Sequence, residues 1–296
     1  MLIAQITDLH VVAPDQLYYG RVAANAQLQE AITHINALTP RPDVVLASGD
    51  LTDHGTAEEY AVLRDLLRAL HPPVYLIPGN HDHRDVFLEA FADHAYLPRP
   101  GAPFAQYAIE AYPVRLIGLD TTIPGRGQGL LCAERIAWLD QTLCAEPNRP
   151  TLIFMHHPPF RTGIRLADAL GLYGGRQMEA IVARHAQVKL VACGHVHRSI
   201  QVAWGGTMAC TIPSTTSVQA ALDLRETIRT NAVIEPRAVQ LYLFDPGYGL
   251  ISHLSYVGSV YETFDIAGLR SNRTLESMLE QHNRGYEELR RMEYDV

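Results

Sequence analysis

The sequence predicts an α/β fold built around a largely parallel sheet. Three observations carry that prediction. Short apolar runs alternate with amphipathic stretches of helical length up to about residue 199. The runs stop at Gly, Pro or polar residues, as buried strands do when they leave a sheet. After residue 199 the long helices drop out, and strand-like pairs follow with turn sequences between them.

The elements follow in order. Leu2 to Thr7 reads as a buried strand. Asn25 to Leu38 has Leu28, Ile32, Ile35 and Leu38 at helical spacing. Val44 to Ala47 is the next strand. Thr56 with Glu59 forms a capping-box signature that opens a helix running to about Leu70. Val74 to Ile77 is a strand stopped by Pro78 and Gly79. Arg115 to Leu119 and Thr151 to Met155 are further strands, with a helix from Glu134 to Leu143 between them. A helix over Met178 to His185 precedes the strand Val188 to Cys193. Strands interleaved with helices make βαβ units, hence a parallel sheet. Ser199 to Trp204 and Thr207 to Ile212 form a hairpin through Gly205-Gly206. Val239 to Phe244 and Leu250 to Val257 form another through Pro246-Gly247-Tyr248-Gly249. Ala220 to Glu235 reads as an insertion, and the last 30 or so residues as a solvated helical tail.

Composition narrows the function. With 24 basic and 32 acidic residues the chain carries a net charge of −8. That sign disfavours a nucleic-acid polymer as partner, which wants a basic face. An anionic substrate would then need a local positive source, such as arginine or a metal. Lys189 is the only lysine, so a Schiff-base lysine is improbable, and a Walker-type phosphate loop is absent. Cys132, Cys144, Cys193 and Cys210 match no zinc-binding pattern and read as reduced thiols, with Cys193 packing as a small apolar side chain. With no signal-peptide pattern and no membrane-length apolar run, a cytoplasmic protein without a membrane partner is expected.

The 14 histidines are the main clue. Five segments that follow predicted strands are rich in Asp, His and Asn: Asp8-Leu9-His10, Gly49-Asp50-Leu51-Thr52-Asp53, Gly79-Asn80-His81-Asp82, His156-His157-Pro158-Pro159 and Gly194-His195-Val196-His197. Ligand sites of open α/β sheets lie beyond the carboxyl ends of the strands, so these segments should meet at one rim. Carboxylate, imidazole and amide oxygen suit hard and borderline divalent ions. Strand alternation puts His195 and His197 on one face, and likewise Asp8 and His10. The glycines before Asp50, Asn80 and His195 would let the backbone turn sharply beneath the cluster.

Taken together, the segments resemble the calcineurin-like metallophosphoesterase superfamily, whose motifs read D-x-H, G-D, G-N-H-[D/E], H and G-H-x-H. The resemblance covers roughly residues 1 to 215. Leu76 to Asp82, Phe154 to Pro159 and Pro213 to Gln219 look most like bacterial class III cyclic-nucleotide phosphodiesterases and glycerophosphodiesterases. The resemblance implies a four-layer αββα sandwich with a small C-terminal cap and oligomerisation extension. The expected divisions are a catalytic core over residues 1–212, a cap region with strands completing the second sheet over 213–265, and a tail over 266–296. It implies two divalent or trivalent metal ions (iron, manganese or zinc). Asp8, His10, His197 and a bridging Asp50 would hold one, and Asp50, Asn80, His156 and His195 the other. His81 would face the phosphate and help bind it or protonate the leaving oxygen, with Asp82 orienting it. Asn80, His81, His197, Tyr19, His157 and Arg161 are the expected substrate contacts; Tyr18, Arg21, His83 and Arg165 are weaker candidates, and Asp53 a supporting carboxylate.

The implied activity is that of a metal-dependent phosphoric diester hydrolase attacking small soluble diesters with a hydroxide generated at the metals. Cyclic 3′,5′-nucleotides such as cyclic AMP come first and glycerophosphodiesters second. A phosphomonoesterase and a non-catalytic metal-binding scaffold are the rivals. Protein phosphatases of the superfamily carry Arg where this chain has His54, and Glu where it has Asp82, which argues against that activity. The tail aromatics Tyr261, Phe264, Tyr286 and Tyr294 suggest a homo-oligomer, a dimer or larger. The histidines at 34, 71, 94, 185, 253 and 282 are expected to serve structure or surface.

Overall fold

The computed structural model describes residues 1–258 except Glu226. They belong to one compact unit, Met1–Gly258. The tail aromatics Tyr261, Phe264, Tyr286 and Tyr294, and with them the basis for expecting an oligomer, lie outside the described residues, as do His282 and the tail over 266–296.

The chain runs β1 (Leu2–Ile6), α1 (Ala24–Ala37), β2 (Val44–Ser48), α2 (Ala57–Leu67), β3 (Val74–Ile77), α3 (Arg84–Ala90), β4 (Tyr107–Ile109), β5 (Arg115–Leu119), β6 (Gly129–Leu130), α4 (Ala133–Ala145), β7 (Thr151–Met155), α5 (Arg165–Ala169), β8 (Leu172–Tyr173), α6 (Gly175–Val182), β9 (Val188–Cys193), β10 (Ile200–Trp204), β11 (Thr207–Thr211), β12 (Val218–Ala220), β13 (Ala232–Ile234), β14 (Arg237–Asp245) and β15 (Gly249–Val257). Two large sheets result, ordered β15-β14-β1-β2-β3 and β10-β11-β9-β7-β5-β4, beside the two-stranded pairs β12-β13 and β6-β8. They pack face to face, β2 against β7 and β3 against β5, with α1 lying on β14 and β15 and α4 beside α6. This is the expected sandwich of mixed sheets between helices.

The central strands β1, β2, β3, β5, β7 and β9 pair in parallel. Sandwiched between a helix layer and the other sheet, they are buried on both faces, and so they read as unbroken apolar runs. One apolar cluster fills both interfaces, from Ile3 and Leu46 to Ile153 and Val191. Helix α2 starts on the expected capping box: the Thr56 side chain accepts from Glu59 N, and Glu59 Oε2 accepts from Thr56 N. Both predicted hairpins form, β10 with β11 and β14 with β15. They go to different sheets: β11 joins β9, whereas β14 joins β1 antiparallel. Residues past 199 therefore finish both sheets. The insertion at 220–235 contains β13, which pairs antiparallel with β12 just before it. The short elements α3, β4, α5, β6 and β8 have no clear periodicity in the sequence.

A buried ion network braces the loop after β5. Asp120 is fully buried and accepts from Arg84 Nε at 2.6 Å, Ala105 N at 2.9 Å and Thr122 N at 2.8 Å, with Arg135 Nη1 at 3.6 Å. Burial alone would raise its pKa, but Arg84 outweighs burial and holds the carboxyl below its usual range. The stability it contributes is present above the unfolded carboxyl pKa and is lost as pH falls through the folded one. Asp120→Ala strands two arginines in the interior and is expected to cost about 3–5 kcal/mol at neutral pH. Urea unfolding would read this, and a loss under about 1 kcal/mol would refute it.

Candidate metal centre

All five segments leave their strands at the carboxyl end and converge. The backbone turns hard there. Asp8, His10, Asp50, His195 and His197 have φ of 51°, 43°, 47°, 72° and 55°, the left-handed region that non-glycine residues rarely occupy. Such strain persists only when the surroundings over-determine it. Here they do: Asp8 N donates to Gly49 O, His10 N to Asp50 O, Gly194 N to His156 O, and Ser214 Oγ to Asp8 O. Two glycines permit the close approach. A Cβ on Gly194 would sit 2.0 Å from Thr7 Oγ1, and one on Gly79 2.2 Å from Asp50 N.

This backbone corrects one expectation. Residues 195 and 197 lie past the end of β9 in left-handed conformations, so strand alternation does not govern them. The His197 ring sits by His10 (5.1 Å between centroids), and the His195 ring between His156 (5.1 Å) and His157 (4.5 Å). The two histidines face different neighbours.

Asp8, His10, Asp50 and His197 offer ligand atoms all within 4.8 Å of one another. His197 Nε2 is 3.2 Å from both Asp8 Oδ1 and His10 Nε2. Asp50 turns Oδ2 toward His10 Nε2 at 3.8 Å and Oδ1 toward His156 Nε2 at 3.3 Å. Asn80 Oδ1 is 3.1 Å from the same His156 nitrogen. A second group within 4.8 Å joins His156, His157 and His195.

The donor chemistry tests whether cations fit. His156 Nδ1–H donates to Ser48 O, and His197 Nδ1–H to Val218 O, each at 2.9 Å. Their Nε2 lone pairs then face other acceptors: an amide oxygen, carboxylates and His10 Nε2. His10 turns Nδ1 toward Asp53 Oδ1 at 3.4 Å, which leaves its Nε2 facing His197 and Asp50. Acceptor facing acceptor in a buried site calls for positive charge between them, which a proton on the ring or a bound cation supplies. Imidazole, carboxylate and amide oxygen without sulfur suit a divalent metal ion, so the residues fit such a group.

The electrostatics agree. Burial would raise Asp8 and Asp50, yet the neighbouring histidines hold both below the usual range, Asp50 well below. Burial would lower His156, but Asp50 and Asp8 push it up to about 9. His195, buried and beside His156, is pushed down to about 4. Opposed shifts within one cluster mark a functional site.

His81 stands at the rim, about a third exposed, with Nε2 4.0 Å from Asp50 Oδ2. Burial opposes its charge, but Asp50 and Asp53 raise it to about 10. Its Nδ1–H donates to Asp53 O at 2.8 Å, with Asp53 Oδ1 at 3.5 Å. Asp53, not Asp82, therefore orients His81. The Asp82 carboxylate turns inward and accepts from Leu51 N, Thr52 N, Gly79 N and Tyr60 OH, locking two loops together. Adjacency in the sequence misled there, because the turn after Gly79 sends neighbouring side chains in opposite directions.

Other expected contacts divide. Tyr18 is buried and stacks on His10 at 4.3 Å, while Tyr19 packs on Tyr18 and is 67% exposed. His157 is wholly buried; its Nδ1 meets Thr121 Oγ1 and its Nε2 Gly127 O, so neither nitrogen is offered to a substrate. Arg161 is exposed and lines a groove with Phe160, Tyr173, Arg176 and Trp204 that holds no residue of the donor clusters. Arg21 and His83 are exposed. His34, His94 and His185 pair with Ser255, Tyr96 and Asp140, and His71 and His253 are exposed. Cys193 is buried. Among the described residues, no helix is long and apolar enough to cross a membrane.

Known proteins share this chain's sequence and fold. The family model for calcineurin-like phosphoesterases matches residues 1–199. The chain is 38% identical over 259 residues to the probable glycerophosphodiester phosphodiesterase GpdQ of Arcobacter nitrofigilis, covering 87% of this chain and 94% of that one. It is 26% identical over 213 residues to the 3′,5′-cyclic adenosine monophosphate phosphodiesterase CpdA of Escherichia coli K12, covering 72% and 75%. Among solved structures, a dimetal phosphatase from Danio rerio shares the fold with a TM-score of 0.57 at 12% identity, covering 87% of this chain and 99% of that one.

Proposed function

The chain belongs to the calcineurin-like phosphoesterase family, and from that premise we propose that it is a metal-dependent phosphodiesterase acting on small diesters at a centre of two divalent cations. The observation that carries this is Asp50, whose two oxygens face two separate donor sets. One cation would lie with Asp8, His10, His197 and Asp50, the other with Asp50, Asn80, His156 and His195. Manganese, iron and zinc all suit such oxygen and nitrogen donors. When bound, ions of this kind lower the pKa of a water toward neutrality and withdraw charge from phosphoryl oxygens.

The chain's own residues prepare the rest. Ser48 O and Val218 O hold His156 and His197 so that Nε2 points inward. Asp53 O anchors His81 Nδ1–H, which leaves the proton on Nε2 directed at the mouth of the centre. There it can meet a phosphoryl oxygen or pass to the leaving alkoxide. Asp82 keeps the loops carrying Asp50 and His81 in register.

Glycerophosphodiesters are the preferred substrates, ahead of the cyclic nucleotides that the sequence ranked first. Two features of the comparisons support this order: the Arcobacter relative is 38% identical over 259 residues, and the CpdA relative 26% identical over 213. The test is a kcat/KM panel on Mn²⁺-reconstituted protein with a chelated control: a glycerophosphodiester, cyclic AMP, an activated aryl diester and the matching monoester. The expected order puts the glycerophosphodiester first among natural substrates and the monoester last, with all turnover lost on chelation. If the metal-loaded protein hydrolyses no diester, aryl esters included, the proposal fails.

A further inference from the structure

We infer that the segment 213–219, past the residues the family model matches, sets the affinity of one of the two cation positions, the one at Asp8, His10, Asp50 and His197, and that Gln219 is the positioning residue that holds this segment in shape. This rests on the reading of the centre as a site for two cations and identifies what steadies one of them. Two hydrogen bonds tie the segment to the donors. Ser214 Oγ–H donates to Asp8 O at 2.7 Å, and Val218 O accepts from His197 Nδ1–H at 2.9 Å. The first fixes the left-handed turn at Asp8, whose φ is 51°. The second aims His197 Nε2 at Asp8 Oδ1 and His10 Nε2, each 3.2 Å away. The other donor set leans elsewhere, His156 Nδ1 on Ser48 O and His195 Nε2 on Leu170 O.

Gln219 gives the segment one shape. Its side chain is buried and closes the turn from inside. Oε1 accepts from Ser214 N at 3.0 Å, while Nε2 donates to Thr216 O at 2.8 Å and to Ser214 O at 3.3 Å. Thr216 N and Thr216 Oγ1–H donate to Ser214 Oγ at 3.0 and 2.8 Å, which leaves the Ser214 proton for Asp8. Just before Asp8, Thr215 N donates to Thr7 O at 2.9 Å and Thr7 N to Thr215 Oγ1 at 3.1 Å. Gln27 of α1 accepts from Ser217 N at 2.8 Å and donates to Ser217 Oγ at 3.0 Å. Val218 packs in an apolar cluster with Val12, Tyr18, Val22 and Ala24, and Tyr18 stacks on His10 at 4.3 Å. Asp8, His10 and His197 are thus all steadied by this segment or the cluster it joins. Such support acts on metal affinity, because a ligand free to turn loses the lone-pair direction a cation needs.

Titration of the metal-stripped full chain with Mn²⁺, read by calorimetry and by the electron spin resonance of free Mn²⁺, tests this. The wild type is expected to bind two ions. Gln219→Met keeps the volume and removes the three hydrogen bonds. It should weaken one binding step about 10–100-fold, as the loss of a ligand's supporting partner does, and leave the other step as it was. In a His156→Ala background, which impairs the other position, the surviving step should carry the same loss. Ser214→Ala removes the bond to Asp8 O and should act in the same direction more weakly, so the test stands even if Gln219→Met does not fold. The Mn²⁺ concentration giving half-maximal diesterase turnover should rise in step, with kcat at saturating Mn²⁺ close to wild type, a split that general loosening of the fold would not give. Equal weakening of both steps, or affinities that do not change whatever the stability in urea, overturns the inference while leaving the two-cation reading intact. A wild-type chain that binds fewer than two ions would instead remove the reading beneath it.

Discussion

Asp50→Asn is expected to lower diesterase kcat/KM at least about 10³-fold, the several kcal/mol a metal-ion Lewis acid contributes, and to reduce bound metal to half or less. The substitution preserves shape and removes one charge. Asp50 turns one oxygen to each donor set, Oδ1 toward His156 and Oδ2 toward His10. An amide offers one oxygen and one N–H₂, so one set must meet a donor where it needs an acceptor. The fold should survive, because the backbone bond from His10 N to Asp50 O and the contact from His81 N can persist. Metal content by elemental analysis, turnover, and far-UV circular dichroism separate these effects. Full metal loading with activity within about tenfold of wild type would sink the bridging role.

His81→Ala should retain the metal and lose about 10²-fold in turnover on an alkyl diester, the usual contribution of a positioned acid. Its loss on a nitrophenyl diester should be much smaller, since a nitrophenolate leaves without a proton. The geometry motivates both parts. The His81 side chain brings Nε2 to 4.0 Å from Asp50 Oδ2 and packs edge-on against His10, and its other nitrogen is committed to Asp53 O. The field of Asp50 and Asp53 keeps it charged, at a pKa near 10. Equal losses on the two esters would assign His81 to phosphate binding and remove its role as acid. Asp53→Ala should follow the same pattern more weakly, because it keeps the backbone oxygen that holds His81 Nδ1–H and removes only the carboxylate at 3.5 Å that favours the charged ring.

Much of this was legible in the sequence because its signals are local. The buried strands β1, β3, β5, β7 and β9 announce themselves as short apolar runs, and Thr56 with Glu59 marks the start of α2 within four residues. The five Asp- and His-rich segments were legible as strand endings for the same reason. The small elements α3, α5, β6 and β8 were not, since helices and strands this short take their shape from what they pack on.

The sequence by itself determined the order of strands and helices, the sign of the charge, and which segments meet at the carboxyl ends of the sheets. Each of those depends on residue types within a few positions of one another. Only the tertiary structure decided that Asp53 rather than Asp82 stands behind His81, that His157 is sealed between Thr121 and Gly127, and that His195 and His197 part company. It also decided that Arg84, Asp120 and Arg135 form one buried network. The physical reason is common to all four. Side-chain direction in these loops is set by left-handed backbone turns and by hydrogen bonds from segments tens of residues away, and neither leaves a periodic trace along the chain.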